Sequence, residues 1–188
     1  MEIRAALPAD QPAIDELVQA AFGPEEGPQV AAVVGALQRA GAVRASLVAS
    51  APDGAVIGHV QLNRGWVDAR RQLAEVLVLS PLSVAPAAQR RGVGTALIAA
   101  ALDDARRLRA PAVLLEGSPD YYRRRGFEPG SDHGFLRPSD RIPDPAFQVV
   151  VLPGHEPWMT GRLIYPEAFW ATDTVGLRDP LLAELEGP

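Results

Sequence analysis

The stretch Leu82-Ser83-Val84-Ala85-Pro86-Ala87-Ala88-Gln89-Arg90-Arg91-Gly92-Val93-Gly94-Thr95 holds the residues best suited to chemistry, and it leads from an apolar strand-like segment into a helix. Its two glycines let the main chain turn tightly and approach a ligand with no Cβ in the way. The consequence is a ring of free N–H groups at a helix N-terminus, where the macrodipole also favours negative charge. Such a bend can hold a pyrophosphate mostly by main chain, with Arg90 and Arg91 adding side-chain charge. A dinucleotide fingerprint fits poorly: the residue three beyond Gly94 is Leu97, and the unit follows an apparent hairpin instead of opening a parallel βαβ. A P-loop is excluded because no Gly-Lys-Ser/Thr follows. A nucleotide-binding α/β domain would rest on the Gly92-Val93-Gly94 turn alone.

The elements that must position this bend follow from hydrophobic spacing. Glu2–Ala5 reads as a strand, and Asp10 as the N-cap of a helix with Ile14, Leu17, Val18 and Phe22 on one face. After a break at 23–27, Pro28 suits a first helical position, and Val30, Val33, Val34 and Leu37 make a second apolar stripe that stops at Gly41. Segments 43–49 and 56–62 form a hairpin across Ala51-Pro52-Asp53-Gly54. The apolar run 76–84 contains Pro81, which cannot donate a ladder hydrogen bond, so a bulge is expected there. A helix carrying Leu97, Ile98, Ala101, Leu102, Ala105 and Leu108 and the strand Ala112–Glu116 complete a β-loop-α-β unit. Ser118 reads as the N-cap of a short helix 119–125 closed by Gly126. Segment 128–145, rich in Pro, Gly, Asp and Ser, reads as a long loop; 147–152 and 161–165 pair most simply as a closing hairpin; 179–188 reads as a frayed or surface-docked tail.

Composition narrows the function classes. The 188 residues, 47% hydrophobic, suit a single domain with one core. A net charge of −5 with no basic stripe argues against a nucleic-acid partner. The absence of cysteine removes disulfides, thiolate nucleophiles and cysteine-ligated zinc, and His59, His133 and His155 have no metal-like spacing, so no metal is expected. Charges in Met1-Glu2-Ile3-Arg4 interrupt any secretory signal, and no apolar run approaches the ~18 residues of a membrane span. A cytoplasmic protein without membrane contacts is expected.

The motif Gln89-Arg90-Arg91-Gly92-Val93-Gly94 resembles the Q/R-x-x-G-x-G/A signature of the GNAT N-acetyltransferase superfamily. The likeness extends in order through the early helix pair, Val56-Ile57-Gly58-His59-Val60, the Leu82 to Pro86 strand end, and Tyr121-Tyr122-Arg123-Arg124-Arg125-Gly126-Phe127. The closing segment 161–169 is similar to the end of a bacterial subgroup of predicted N-acetyltransferases. The resemblance implies an α+β, three-layer fold with a mixed, mainly antiparallel sheet of about seven strands and about four helices, its central strands splayed at a bulge. It implies one acyl-CoA N-acyltransferase domain over 1–188, with a core to about 166 and an extension over 167–188. Acetyl-CoA would be the cosubstrate and a small-molecule or peptide amine the acceptor, in a possible homodimer. Gln89, Arg90, Arg91, Gly92, Val93, Gly94 and Thr95 would wrap the pyrophosphate of CoA; Leu82, Ser83 and Val84 would line the pantetheine arm, Leu82 and Val84 through main-chain groups.

Acyl transfer needs a neutral amine, a stabilised oxyanion and a protonated leaving thiolate. By the resemblance, Tyr122 is the general acid. Many family members place an acid eleven positions before the motif glutamine, where this chain has Val78. Glu75, Glu116, Asp120 and His59 are substitutes that could act through water, and none is assigned as base. The Leu82 or Val84 N–H is the candidate oxyanion donor. Arg106, Arg107 and Arg109 are better explained by a helix C-terminus than by a phosphate, and Trp66, Trp158 and Trp170 by packing than by an acceptor cleft. Acceptor specificity is expected from the first two helices and the 128–145 loop. The missing strand acid leaves a rival, a non-catalytic acyl-CoA-binding regulatory module.

Overall fold

Alternating apolar and polar residues build one open sheet of nine strands in the computed structural model, which describes residues 1–186. The strands are β1 (Glu2–Ala5), β2 (Val43–Ser50), β3 (Val56–Ala69), β4 (Leu73–Val84), β5 (Ala112–Glu116), β6 (Glu128–Pro129), β7 (Phe135–Leu136), β8 (Phe147–Val151) and β9 (Gly161–Ile164). Helices are α1 (Gln11–Arg39), α2 (Val93–Arg107), α3 (Pro119–Arg123), α4 (Glu167–Ala171) and α5 (Leu181–Glu186). Sheet order is β1-β2-β3-β4-β5-β8-β6, with β9 added to β3 and β7 to β9. Only the β4–β5 and β7–β9 pairs are parallel among the described strands. This is the mixed, mainly antiparallel architecture expected; the two strands beyond seven include two-residue pieces in 128–136, which the turn-rich composition hid.

Helices cover both faces. Val60, Leu62, Leu77 and Leu79 pack against Leu97, Ile98, Ala101 and Ala105 of α2, while Val67, Val76 and Val78 pack under Val33 and Leu37 of α1. Ile14 and Val18 of α1 meet Val48 in a third cluster. Leu97 is fully buried, so Leu97→Ala is expected to destabilise the fold by about 3 kcal/mol. Urea unfolding checks this, and a cost below about 1 kcal/mol would contradict the docking of α2.

The anticipated helix pair is α1, broken at Gly23, whose φ of 77° and ψ of −177° turn the axis before Pro24 and Pro28. Asp10 makes no side-chain bond to the first turn of α1; its carboxylate instead receives the Arg4 guanidinium at 2.6 Å and the Leu7 N–H at 2.7 Å, fixing α1 to β1. Ser118 likewise precedes α3 without a side-chain cap, and α3 ends at Arg123 before Gly126 turns the chain at φ 87°.

The closing hairpin is not formed. β8 pairs with β5 and β6, whereas β9 pairs with β3 and β7. The reason lies in strand length: β3 runs past the start of β2, leaving 66–69 with an open edge that 161–164 fills. The bulge at Pro81 is present, since β3 advances from Val60 to Leu62 while its β4 partners run from Leu82 to Leu79. Before it, β4 and β5 pair at Leu77–Val113 and Val78–Leu114 and no further, so Leu82, Val84 and Glu116 lie past the last bridge.

Candidate functional site

That splay opens a cleft with two lobes. The first, about 510 Å³, is lined by Leu82, Val84, Gln89, Arg90, Gly92, Gly94, Thr95, Tyr121, Tyr122 and Arg125, with Ala21 and Phe22 from α1. Most of the residues expected to hold the diphosphate and to line the pantetheine arm are therefore gathered there. Ser83 is not: it is buried on the opposite sheet face, because side chains alternate along β4, and its hydroxyl has no partner. Arg91 is exposed and lines neither lobe, and Val93 turns into the core against Leu97 and Gly58.

Backbone geometry supplies the donors. Gly92 sits in the left-handed region at φ 86° as N-cap of α2, with Arg90 also at positive φ, 59°. Gly94 is required for a different reason: a Cβ there would collide with the Tyr121 hydroxyl. Arg125 stacks on the Tyr121 ring at 3.5 Å and donates to Thr95 Oγ1 at 2.8 Å, tying α3 to the head of α2. Ala85 N–H donates to Ile57 O on β3, so strand alternation turns the Leu82 and Val84 N–H groups away from β3 toward the cleft.

Tyr122 stands where the lobes meet. Its ring packs across Gly117 and edge-on against Tyr121 and Phe127, at centroid distances of 5.0 and 5.6 Å. Burial, reinforced by Tyr121, raises the phenol above its ordinary value, so the hydroxyl keeps its proton at neutral pH.

The second lobe, about 410 Å³, shares Phe22, Leu82 and Tyr122 with the first and continues past Glu116 to the chain's C-terminal part. Residues 173–181 form one wall and residues 22–33 of α1 another. Glu116, on the splayed end of β5, accepts the Gly176 N–H at 3.0 Å and the Tyr165 hydroxyl at 3.5 Å. Burial lifts its carboxyl to about 7 against those hydrogen bonds and the lesser pull of Arg178 and Arg141. The sequence offers Glu116 only beside Glu75, Asp120 and His59, and gives no sign that a residue 60 positions later completes its surroundings.

The other candidates lie elsewhere. Glu75 pairs with Arg44 at 3.1 Å toward the far end of the sheet, and Asp120 is exposed on α3. His59 is buried on the α1 face with Nε2 at 2.9 Å from Ser46 Oγ, and burial lowers it to about 4, leaving it neutral. Arg106 pairs with Asp103 and Arg107 with Asp104 on α2. Trp66, Trp158 and Trp170 line neither lobe, and neither does any residue of 128–145 among those described; segment 173–181 instead walls the second lobe.

The family model described as Acetyltransferase (GNAT) family matches residues 12–127. The uncharacterized N-acetyltransferase YhbS of Escherichia coli K12 is 32% identical over 133 residues, 71% of this chain and 77% of its own length. The chain belongs to the GNAT acetyltransferase family. The crystal structure of Escherichia coli YhbS in complex with CoA has a TM-score of 0.79 at 29% identity, covering 89% of this chain and 91% of that one. A GNAT family acetyltransferase from Brucella melitensis in complex with acetyl-CoA has a TM-score of 0.73 at 30% identity, covering 89% and 97%. Within the GNAT frame, Val78 is buried in the core, so the strand position that carries an acid in many members has none here. Among the described residues no helix is long and apolar enough to cross a membrane.

Proposed function

We propose that this GNAT chain transfers an acetyl group from acetyl-CoA to a primary amine of a small molecule or peptide, by direct attack in a ternary complex. The observation that carries the reading is the junction: one lobe holds the glycine bend, the other holds Glu116, and Tyr122 borders both. The CoA and acetyl-CoA complexes of the two structural relatives support CoA as the ligand; its diphosphate would lie at the bend and the acetyl thioester would reach the junction. Main-chain N–H groups of 92–95 would grip the diphosphate, and those of Leu82 and Val84 would meet the pantetheine amides and the developing oxyanion.

The acceptor enters from the Glu116 lobe as an ammonium. Ionised Glu116 takes one proton, directly or through a water, and the neutral nitrogen attacks the thioester carbon. The C–N bond forms, the carbonyl electrons move onto oxygen, and on collapse the C–S bond breaks. Tyr122 gives its proton to the departing thiolate and regains one lost by the new amide nitrogen. The balance is amide, CoA thiol and one proton released through Glu116 to solvent. Because residues 173–181 hold Glu116 and wall the acceptor lobe, we assign the C-terminal part to the same catalytic domain as the core.

A thiol-release screen of amines with acetyl-CoA tests the reaction. Amine-dependent release is expected; CoA binding without release from any amine would favour the regulatory-module reading, which the valine at position 78 motivates. Tyr122→Phe is expected to lower kcat by roughly 10- to 100-fold while the acetyl-CoA Kd stays within about twofold. An unchanged kcat would remove Tyr122 as the acid.

A further inference from the structure

The acceptor lobe has an uneven charge distribution that the transfer chemistry does not require. Its walls are largely apolar, from Phe22, Val30 and Val33 on one side to Pro81, Leu177 and Leu181 on the other. Four carboxylates line it, Glu26, Glu116, Asp173 and Asp179, against a single cation, Arg178. Arg178 is already engaged: it reaches the Asp173 carboxylate at 3.6 Å and its main-chain oxygen at 2.6 Å. Asp173 is further held by Arg141 at 2.6 Å, which lowers its pKa and fixes it as a partnered charge. Glu26 and Asp179 have no ion-pair partner among the described residues. Glu26, half-buried on the kinked part of α1, and Asp179, exposed on the C-terminal wall, thus place two carboxylates without an ion-pair partner along the lobe that already contains Glu116.

From this we infer that the acceptor is an aliphatic dication: one amine is acetylated at Glu116, a methylene stem lies along the apolar walls, and a second ammonium is held by Glu26 and Asp179. An anionic or zwitterionic acceptor would put its carboxylate among unpaired carboxylates, and a monoamine, whose one ammonium goes to Glu116, would leave Glu26 and Asp179 without a counter-charge. A cavity of about 410 Å³ lies in the small-ligand range of roughly 300–1,000 Å³. A free diamine or polyamine and the side chain of a lysine followed by another cation share this chemistry. The inference rests on the acceptor occupying this lobe, and its test is chosen to read binding separately from turnover.

The test titrates 1,4-diaminobutane, n-butylamine, glycine and the dipeptide Lys-Lys into the full chain with CoA present, at low and high salt, followed by initial rates with acetyl-CoA. The diamine is expected to bind at least about tenfold more tightly than n-butylamine, an advantage that shrinks as salt rises, with glycine weakest. Tighter binding of the diamine than of Lys-Lys assigns a free small molecule, and the reverse assigns a peptide. In Glu26→Gln/Asp179→Asn, the diamine should lose most of its advantage through KM more than through kcat, and the single variants should show which carboxylate matters more. Equal binding of diamine and butylamine, or a preference for glycine, overturns the inference even if acetyl transfer occurs. Preferential diamine binding without acetylation of any amine would instead leave the dication site standing and remove the proposed reaction.

Discussion

Glu116→Gln is expected to lower kcat by at least about 100-fold and to abolish the pH dependence that the wild type shows near neutrality, while leaving acetyl-CoA binding in place. The glutamine keeps the size and the oxygen that accepts the Gly176 N–H, but it cannot take a proton. In the wild type the carboxyl, raised to about 7 by burial, is half ionised near pH 7, so kcat/KM should rise with unit slope below that pH and level off above it. The same shift has the opposite sign for stability. The unfolded carboxyl ionises from about 4.5 and the folded one only near 7, so the folded chain holds the extra proton across that window. Stability is intact below 4.5 and declines by about 3 kcal/mol as pH rises to 7, and the glutamine variant should lack that decline. A variant inactive yet more stable than wild type at pH 8 is the signature of a base held against its own ionisation. A pH–rate profile unchanged by the substitution would remove Glu116 from catalysis.

Gly94→Val is expected to weaken CoA binding on the order of 100-fold, about 2.7 kcal/mol, because the new side chain occupies the approach to the bend and strikes the Tyr121 hydroxyl. Relief of that clash can be separated from loss of the ligand's access. In Gly94→Val/Tyr121→Ala the protein collision is gone, so thermal stability should recover. CoA affinity should not recover, since the branched side chain still covers the amides the diphosphate needs. Recovery of both would mean that the glycine serves packing against α3 and not ligand approach.

Much of the lobe proposed for CoA was legible in the chain because its determinants are local. The glycines, the strand end and the following helix lie within 82–107, so their order and spacing carry the geometry. Pro81 forecast the bulge by what it cannot donate, and the bulge forecast the splay. The lobe proposed for the acceptor was not legible, because it is assembled from far apart: Glu116 meets Gly176 and Tyr165, and residues 22–33 of α1 face 173–181. Neither the apolar stripe of α1 nor the mixed composition of the C-terminal part announces that they share a cavity. Strand pairing failed for the same reason. The alternation Val67, Asp68, Ala69 was there to lengthen β3, and doing so would have exposed the open edge that β9 fills in place of a hairpin with β8. Ser83 shows the converse, a residue inside the right motif whose side chain alternation sends it to the wrong face.

The most direct measurement is an amide NMR titration of the full chain with acetyl-CoA and, separately, with inorganic pyrophosphate. Saturable shifts are expected at the main-chain N–H groups of 90–95 with both ligands, and at Leu82 and Val84 only with the one that carries a pantetheine arm. Saturable binding that leaves 90–95 unshifted, or no binding of acetyl-CoA at all, would contradict it.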